Sequence, residues 1–413
     1  MIVRFWQLPE NRNYLMLRNG FKNKIVQRLE AKKYSWKIRN KLKKGKISIR
    51  KLKKIAKEEK IPLDVFEKNI IWIGGNNSLG LSNPKFPIDF SSRVGARFIA
   101  SIINDGTLTK EGSSYGRLMY DNFDESLRES VIKDYTEIFG GKKEEVAFRE
   151  TDKKRYLEFT SVIRDIIEKI IKEKGPKCET NIKLPEFILK NKECMLGWIE
   201  QTLADEGEIK FYPEKYRRAI IWRRSLDVTE KMKGKINKDT PFRKLQKEIQ
   251  EILLKKRFNL IESEKKILES LDIKYIIYNL GIYKTERGKI RTRWQIMITK
   301  RENLLKLREI IKIPSKEKDK KFNRIVKGFT RFLEPLNVKN KIIEIGKNKK
   351  NFTSFDLKKK MLYKQTQTAI KWLRIFEKEK LIIKVEESKY GGGRYRRPAK
   401  YTLHQISKAV PEI

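Results

Sequence analysis

Two segments of this chain superimpose without a gap at an offset of 101 residues, from Phe98/Ile199 to Tyr120/Ile221. Ile102 falls on Leu203, Asp105 on Glu206, Gly106 on Gly207, Leu108 on Ile209, Tyr115 on Tyr216 and Arg117 on Arg218. Each copy is entered through a Lys-x-Pro step, Lys85-Phe86-Pro87 and Lys183-Leu184-Pro185, ahead of an apolar helix that ends in an acid and a glycine. One supersecondary unit is therefore used twice.

The patterns that follow each helix recur in the same order. In the first copy, strands at 107–109 and 117–121 precede a helix at 125–139, a strand pair near 146–159 and a helix at 162–173. In the second, strands near 208–211 and 219–228 precede a helix around 242–254, strands at 275–283 and 293–298, and a helix at 304–311. Both read αββαββα, so the predicted fold class is α+β. Before the repeats, residues 34–70 carry Ile38, Leu42, Ile49, Leu52, Ile55 and Ala56 at helical spacings, punctuated by Gly45 and Pro62, which predicts a helix-turn-helix. After them, 314–321 reads as a charged linker. Residues 352–403 then read helix, helix, strand, a Gly391-Gly392-Gly393 turn and strand, the order of a winged helix. The predicted division is 1–75 (helix-turn-helix), 76–185 and 186–315 (the repeats) and 322–413 (winged helix).

Charge narrows the partner. With 98 Lys and Arg against 53 Asp and Glu, the 413 residues carry a formal +45. Thermophile-type enrichment raises Glu together with Lys, whereas here the acids lag by 45. A polyanion is the expected partner, because neutralised phosphates release counterions and drive binding. Apolar runs are far too short for a membrane span, and no apolar stretch of the signal-peptide type follows Met1. The expected location is therefore cytoplasmic and associated with nucleic acid. One histidine excludes catalytic triads and His-ligated metal sites, and Cys178 and Cys194, sixteen apart, make no zinc ribbon.

Asp105 and Glu206 each sit at the last turn of an apolar helix, where the macrodipole opposes a carboxylate by about 0.3–1 kcal/mol. One acid before a capping glycine is commonplace. Two at matched positions in a duplicate would converge if the helices pair, and converging carboxylates need a cation or a proton. Mg²⁺ suits one or two carboxylates with water and phosphate oxygens.

The two corners, Phe98-Ile99-Ala100-Ser101-Ile102-Ile103-Asn104-Asp105-Gly106 and Ile199-Glu200-Gln201-Thr202-Leu203-Ala204-Asp205-Glu206-Gly207, resemble the motif of the LAGLIDADG homing endonucleases. Pro185-Glu186-Phe187 and the late strand pair also look like that family, over residues 85–312. The resemblance implies a single-chain pseudo-dimer, a monomer with internal pseudo-two-fold symmetry. Its paired motif helices would bring Phe98, Ala100, Ile102 and Gly106 against Ile199, Gln201, Leu203 and Gly207, and two sheets would form a saddle on duplex DNA. Asp105 and Glu206 would hold two or more Mg²⁺ ions and activate water for in-line attack on the two strands. Gln201 stands where Gly or Ala is usual in the family and Glu200 is also unusual at its position, which predicts motif helices set wider or offset.

Expected nucleic-acid contacts are Arg117, Arg217, Arg218, Arg223 and Arg224 early in the strands, and Lys284, Arg287, Lys289, Arg291 and Arg293 around the last hairpin. Lys364, Arg394, Arg396 and Arg397 belong to the winged helix. Each of the sheet residues is equally readable as a solvated edge-strand charge, whereas the basic residues around the wing favour phosphate contact. Two functions follow: a site-specific, Mg²⁺-dependent double-strand DNA endonuclease, or a non-catalytic DNA- or RNA-binding regulator built on a degenerate core of the same kind. Retention of both carboxylates favours the first, and Gln201 with the two flanking domains favours the second.

Overall fold

The computed structural model describes residues 1–32, 36–43, 45–75, 79–109, 117–152, 154–172, 177–212, 217–233, 239–255, 258–330, 335–361, 363, 365–388 and 398–404. It is a mixed α+β chain with several helical and sheet sub-domains, in two compact units. The first comprises Met1–Glu208, Ile221–Ile298 and Glu309–Asp319; the second comprises Ile209–Ile220, Thr299–Arg308 and Lys320–Ile413.

The N-terminal part of the first unit runs β1 (Tyr14–Leu17), α1 (Asn19–Ala31), α2 (Trp36–Lys43), β2 (Ile47–Ser48), α3 (Ile49–Glu58), α4 (Leu63–Glu67), β3 (Ile70–Gly74) and β4 (Leu81–Ser82). Helices stand where 34–70 predicted them. On α3 the spaced Ile49, Leu52, Ile55 and Ala56 are all buried, and Ser48 caps it by accepting from the Lys51 amide. The strands, of two to five residues, form an antiparallel sheet in the order β2-β1-β3-β4 that the helical reading of 1–75 did not contain. Stretches that short carry little alternation. The sheet also reaches beyond residue 75, since β4 pairs Leu81 with Ile73. Arg12 and Asn13 then fasten this part to the first repeat by donating to the buried carboxylate of Asp165.

The first repeat is α5 (Arg93–Asn104), β5 (Gly106–Leu108), β6 (Leu118–Asp121), α6 (Glu125–Phe139), β7 (Ala147–Thr151), β8 (Lys154–Phe159) and α7 (Ser161–Ile170), with strand order β5-β6-β8-β7. The second begins with α8 (Lys192–Asp205), β9 (Glu208–Tyr212), β10 (Arg217–Asp227) and β11 (Thr240–Pro241). It continues with α9 (Lys247–Lys255), α10 (Asn259–Ser270), β12 (Ile276–Lys284), β13 (Ile290–Ile298) and α11 (Arg301–Ile310). Its sheet order is β9-β10-β13-β12-β11. The second copy thus adds α10 and β11 to the seven-element plan.

Helices α5 and α8 are buried nearly all round, α5 from Ala96 to Asn104 apart from Arg97 and α8 from Cys194 to Ala204. Such helices have no solvent face and must lie within a core. Ser92 caps α5 through the Gly95 amide, and Asn191 caps α8 through those of Glu193 and Cys194. They approach closely at Gly197, where an added Cβ would lie 2.0 Å from the Arg93 carbonyl oxygen. The pair is therefore tight despite Gln201, because the small residue sits one turn earlier than the motif suggested. Gly106 and Gly207 have no left-handed φ. They are required for space, since a Cβ would lie 2.6 Å from the Ile102 backbone and 2.3 Å from the Leu203 carbonyl, where each strand doubles back over its helix.

α12 (Lys316–Thr330), which belongs to the first unit as far as Asp319 and to the second from Lys320, replaces the linker predicted at 314–321. Ser315 followed by Glu317 and Asp319 is a helix start, and Phe322 and Ile325 are buried, so the charges around them belong to an amphipathic helix. α13 (Pro335–Asn348), β14 (Phe352–Thr353), α14 (Ser354–Met361), α15 (Thr366–Lys378), β15 (Ile382–Glu386) and β16 (Lys400–Leu403) follow, with sheet order β14-β16-β15. Val338, Ile342, Phe352, Leu357, Leu373, Phe376 and Tyr401 form the core of this part. The glycine turn with Arg394, Arg396 and Arg397, and Lys364, lie outside the described residues.

Gly197→Ala is expected to destabilise the protein by about 1–3 kcal/mol, because backbone must move to admit one methyl group. Gly20→Ala, on α1 with nothing within 4 Å of the new Cβ, is expected to be neutral or stabilising. Urea denaturation of the two variants checks both, and a Gly197→Ala protein as stable as its parent would contradict the packing described.

Candidate functional site

The ends of α5 and α8 meet one residue earlier than the acid-glycine corners suggested. Asn104 Nδ2 donates to Asp205 Oδ2 at 3.2 Å, and these two residues occupy the same position in the two copies. Tyr120 Oη (2.7 Å) and Gln201 Nε2 (2.9 Å) both donate to Asp205 Oδ1. Burial, followed by the neighbouring Asp105 charge, pushes the Asp205 carboxyl well above the ordinary range, against the pull of those three donors. Gln201, at the position where a small residue was expected, thus ties Asp205 down.

Asp105 and Glu206 come next and line one cleft of about 480 Å³ with Asp121, Arg223 and Arg224. Asn122 Nδ2 donates to Asp105 Oδ2 at 2.8 Å. Glu206 accepts from Arg224 Nη1 at 3.3 Å. Arg224 itself is only 5% exposed. It also donates to Glu264 Oε1 (2.6 Å) and to Asn104 Oδ1 (2.9 Å), while Trp222 Nε1 donates to the other oxygen of Glu264 at 2.9 Å. Burial works against the Arg224 charge, but Glu264 and Glu206 outweigh it and hold its pKa above the ordinary value. Beside these groups, Lys318 Nζ donates to the carbonyl oxygens of Ala204 (2.6 Å) and Asp205 (3.2 Å), placing a cation on the negative end of α8. Burial lowers the Lys318 pKa, although Asp205 and Asp105 pull the other way.

Glu200 turns inward and accepts from Arg93 Nε (3.1 Å) and Nη2 (2.5 Å) and from the Lys312 amide (2.8 Å), with Arg97 3.6 Å away. Arg97 in turn pairs with the buried Asp134. The polar residues at the second and third positions of the second motif are thus fixed within the helix pair. For Mg²⁺ this donor set fits poorly. A carboxylate that binds a metal offers its lone pairs to the ion, whereas Glu206 is engaged by a guanidinium. Among the described residues no group of three or more Asp, Glu, His and Cys side chains is placed to hold a metal.

The expected sheet contacts separate into two groups. Arg224, expected among them, is a core residue instead, because its position on β10 alternates inward. Arg223, Arg291 and Arg293 share the other face of the second sheet. Arg223 Nε reaches Gln295 Oε1 (3.0 Å), the Arg293 guanidinium lies 4.3 Å from the Tyr283 ring centre, and Arg291 is opposite Tyr283 in the register. Lys284 and Arg287 are exposed at the hairpin, and Lys289 pairs with Glu179. In the first repeat Arg117 pairs with Glu158 at 3.3 Å. Arg218 lies 5.8 Å from the Phe211 ring centre, and the side chain of Arg217 lies outside the described residues. Sequence reading missed Asp205, Tyr120, Glu264 and Lys318. Only Asp205 left a signal, as a second acid directly before Glu206.

The raised pKa of Asp205 has a consequence for stability. The folded protein keeps a proton that the unfolded chain gives up near pH 3.9, so this carboxyl costs stability progressively as pH rises above about 4. Asp205→Asn removes that dependence. Its stability relative to the parent is expected to increase as pH rises above about 4, and a difference independent of pH in urea titrations would contradict a raised Asp205 pKa.

No helix among the described residues is long and apolar enough to cross a membrane. No protein-family model matches the chain and no curated protein matches it. Among solved structures, the chain is similar to the crystal structure of the N-terminal LAGLIDADG domain of DUF199/WhiA, at 10% identity and a TM-score of 0.29, over 55% of this chain and 86% of that one.

Proposed function

We propose that the protein binds nucleic acid without cutting it, using a degenerate LAGLIDADG-like core as a scaffold and reading surface, and that it acts as a regulator. The observation that carries this reading is the Arg224 guanidinium on Glu206, itself buttressed by buried Glu264. A metal at Glu206 would meet the charge of an internal cation that Glu264 and Asn104 also hold in place. Removing one partner of such a buried network is strongly unfavourable. The charge of +45 supports a polyanionic partner.

Two surfaces support the binding role. One is the face of the second sheet that carries Arg223, Arg291 and Arg293 beside Tyr283 and Gln295. The other is α15, where Gln367, Lys371, Arg374 and Lys378 are exposed at spacings of four, three and four residues while Ala369, Leu373 and Phe376 face the core. Its setting after α14 and before the β15–β16 hairpin matches the recognition helix of a winged helix. Basic residues in such a row hold phosphates and position the protein on the duplex.

Affinity for duplex DNA is expected to fall with salt at a log–log slope of about −0.9 per neutralised phosphate. Lys371→Ala combined with Arg374→Ala should weaken binding across sequences and flatten that slope by about 2. A salt-insensitive interaction would contradict the reading.

The enzymatic alternative is tested by incubating the protein with genomic DNA and Mg²⁺ and mapping any ends. No cleavage and no Mg²⁺-dependent rise in melting temperature are expected. Cleavage that Asp105→Asn abolishes would overturn the proposal in favour of an endonuclease. Arg224→Met should cost about 3–5 kcal/mol in urea denaturation, because Glu264 and Glu206 then lose their cation.

A further inference from the structure

The N-terminal sheet has two unlike faces. Leu15, Leu17, Ile47, Ile73 and Leu81 are buried on one of them. On the other, the register sets Tyr14 opposite both Ser48 and Gly74, and Met16 opposite Trp72, which in turn stands opposite Ser82 on β4. Tyr14, Met16, Ser48, Trp72 and Ser82 are all half-buried, so this face meets solvent. Three large side chains of apolar character side by side are more than a solvated face requires.

The seat of Trp72 is made of glycine. A Cβ at Gly74 would lie 2.7 Å from the ring carbon Cζ2, and one at Gly80 would lie 2.4 Å from Cε2 and 2.5 Å from Cζ2. The six-membered half of the indole therefore lies across the backbone of β3 and the residue before β4, where any side chain would lift it. Neither glycine has a left-handed φ, so both are there for the room they leave to the ring and to the neighbouring backbone. With one π-face of the indole on the sheet, the other is turned outward. Lys46 Nζ sits over the ring, 4.5 Å from its centre. Lys46 enters the face directly after Gly45, whose φ of +99° is a turn conformation that suits glycine.

We infer that this face is a stacking platform for unpaired nucleobases, so that the nucleic acid this protein holds is single-stranded at its N-terminal part. Trp72 is the ring on which a base lies, Tyr14 and Met16 extend the surface beside it, and Lys46 leaves the ring for a phosphate of the same strand. The seat of the ring selects this occupant, because every base has a π-face and stacks on an outward aromatic one. Bases in a duplex are stacked on each other and show only their edges, so a ring laid along the sheet has no partner there. Charge agrees. Residues 1–82 hold 21 Lys and Arg against 6 Asp and Glu, a net of +15 in about a fifth of the chain, which draws phosphates to this part. The platform rests on the nucleic-acid reading above for the class of polymer and adds the form of the strand. Stacking engages the base and not the sugar, so RNA and DNA strands bind alike.

The test is fluorescence anisotropy of the full chain with labelled oligomers of about ten uridines or about ten thymidines, and in parallel with a labelled duplex. Both single strands are expected to bind, within a few-fold of each other. Trp72→Ala should weaken both by at least about five-fold while leaving duplex affinity unchanged, and Trp72→Phe, which keeps a ring, should recover most of the loss. Lys46→Ala should flatten the single-strand salt slope by about 0.7, the share of one phosphate. Photocrosslinking of the unaltered protein to an oligomer carrying 5-iodouracil should place the adduct on Trp72 or Tyr14, which reads the site even where Trp72→Ala fails to fold. Equal single-strand affinity in the parent and a folded Trp72→Ala overturns the inference, as do crosslinks confined to other residues. Equal losses for duplex and single strand overturn it too, because the ring would then serve duplex. A chain that binds duplex and ignores both single strands removes the platform and leaves the proposed function standing. Single-strand binding without duplex binding does the reverse, and a chain that binds neither overturns both.

Discussion

Two helices buried on nearly every side, α5 and α8, set the terms for the rest of the first unit. A helix ends with unsatisfied carbonyl groups and a partial negative charge, and here two such ends meet in the interior with four acidic or amide side chains beside them. The chain supplies two cations of its own, Arg224 from β10 and Lys318 from the first turn of α12, while burial pushes the Asp205 carboxyl well above the ordinary range. Each comes from a different stretch of sequence, so the second sheet, the segment after the second repeat and the helix pair are mutually dependent. Toward the N-terminal end of the pair, Arg93 and Arg97 enclose the carboxylate of Glu200.

The duplication was legible because it fixes register. Gap-free matching over the corner brought out the first seven-element repeat, and α6 falls on the predicted 125–139. What the sequence concealed falls into two kinds. Short strands such as β2 and β4 carry two residues each, too few for alternation to declare itself, and their pairing depends on partners dozens of residues away. Polar residues in the core are the second kind. Gln201 and Glu200 read as defects in an apolar motif, and only their partners, Asp205 on the same helix and Arg93 on the other, explain them. Arg224 was misread for a related reason: it adjoins Arg223 in a basic run, yet strand alternation sends neighbouring arginines to opposite faces.

That alternation divides the labour of the basic residues. Inward arginines are spent on buried carboxylates, each fixed by two or more hydrogen bonds, whereas Arg291 and Arg293 on β13 stay on the outer face with aromatic neighbours. Arginine suits both tasks because its planar fork binds carboxylates bidentately and stacks on rings. The lysines are more than twice as numerous as the arginines in this chain, and Lys371 and Lys378 stand exposed on α15, where a flexible point charge needs no fixed geometry.

The acid at each corner can now be weighed against its surroundings. Asp105 and Glu206 hold equivalent places in the duplicate, but their neighbourhoods differ: Asp105 receives a neutral amide from Asn122, and Glu206 receives a guanidinium. The duplication fixes where each acid stands, while the side chain that donates to it comes from just past the second strand in the first copy and from within that strand in the second. One residue earlier, Asn104 donates to Asp205, a neutral side chain against an acid at matched positions, and this hydrogen bond joins the two helix ends directly.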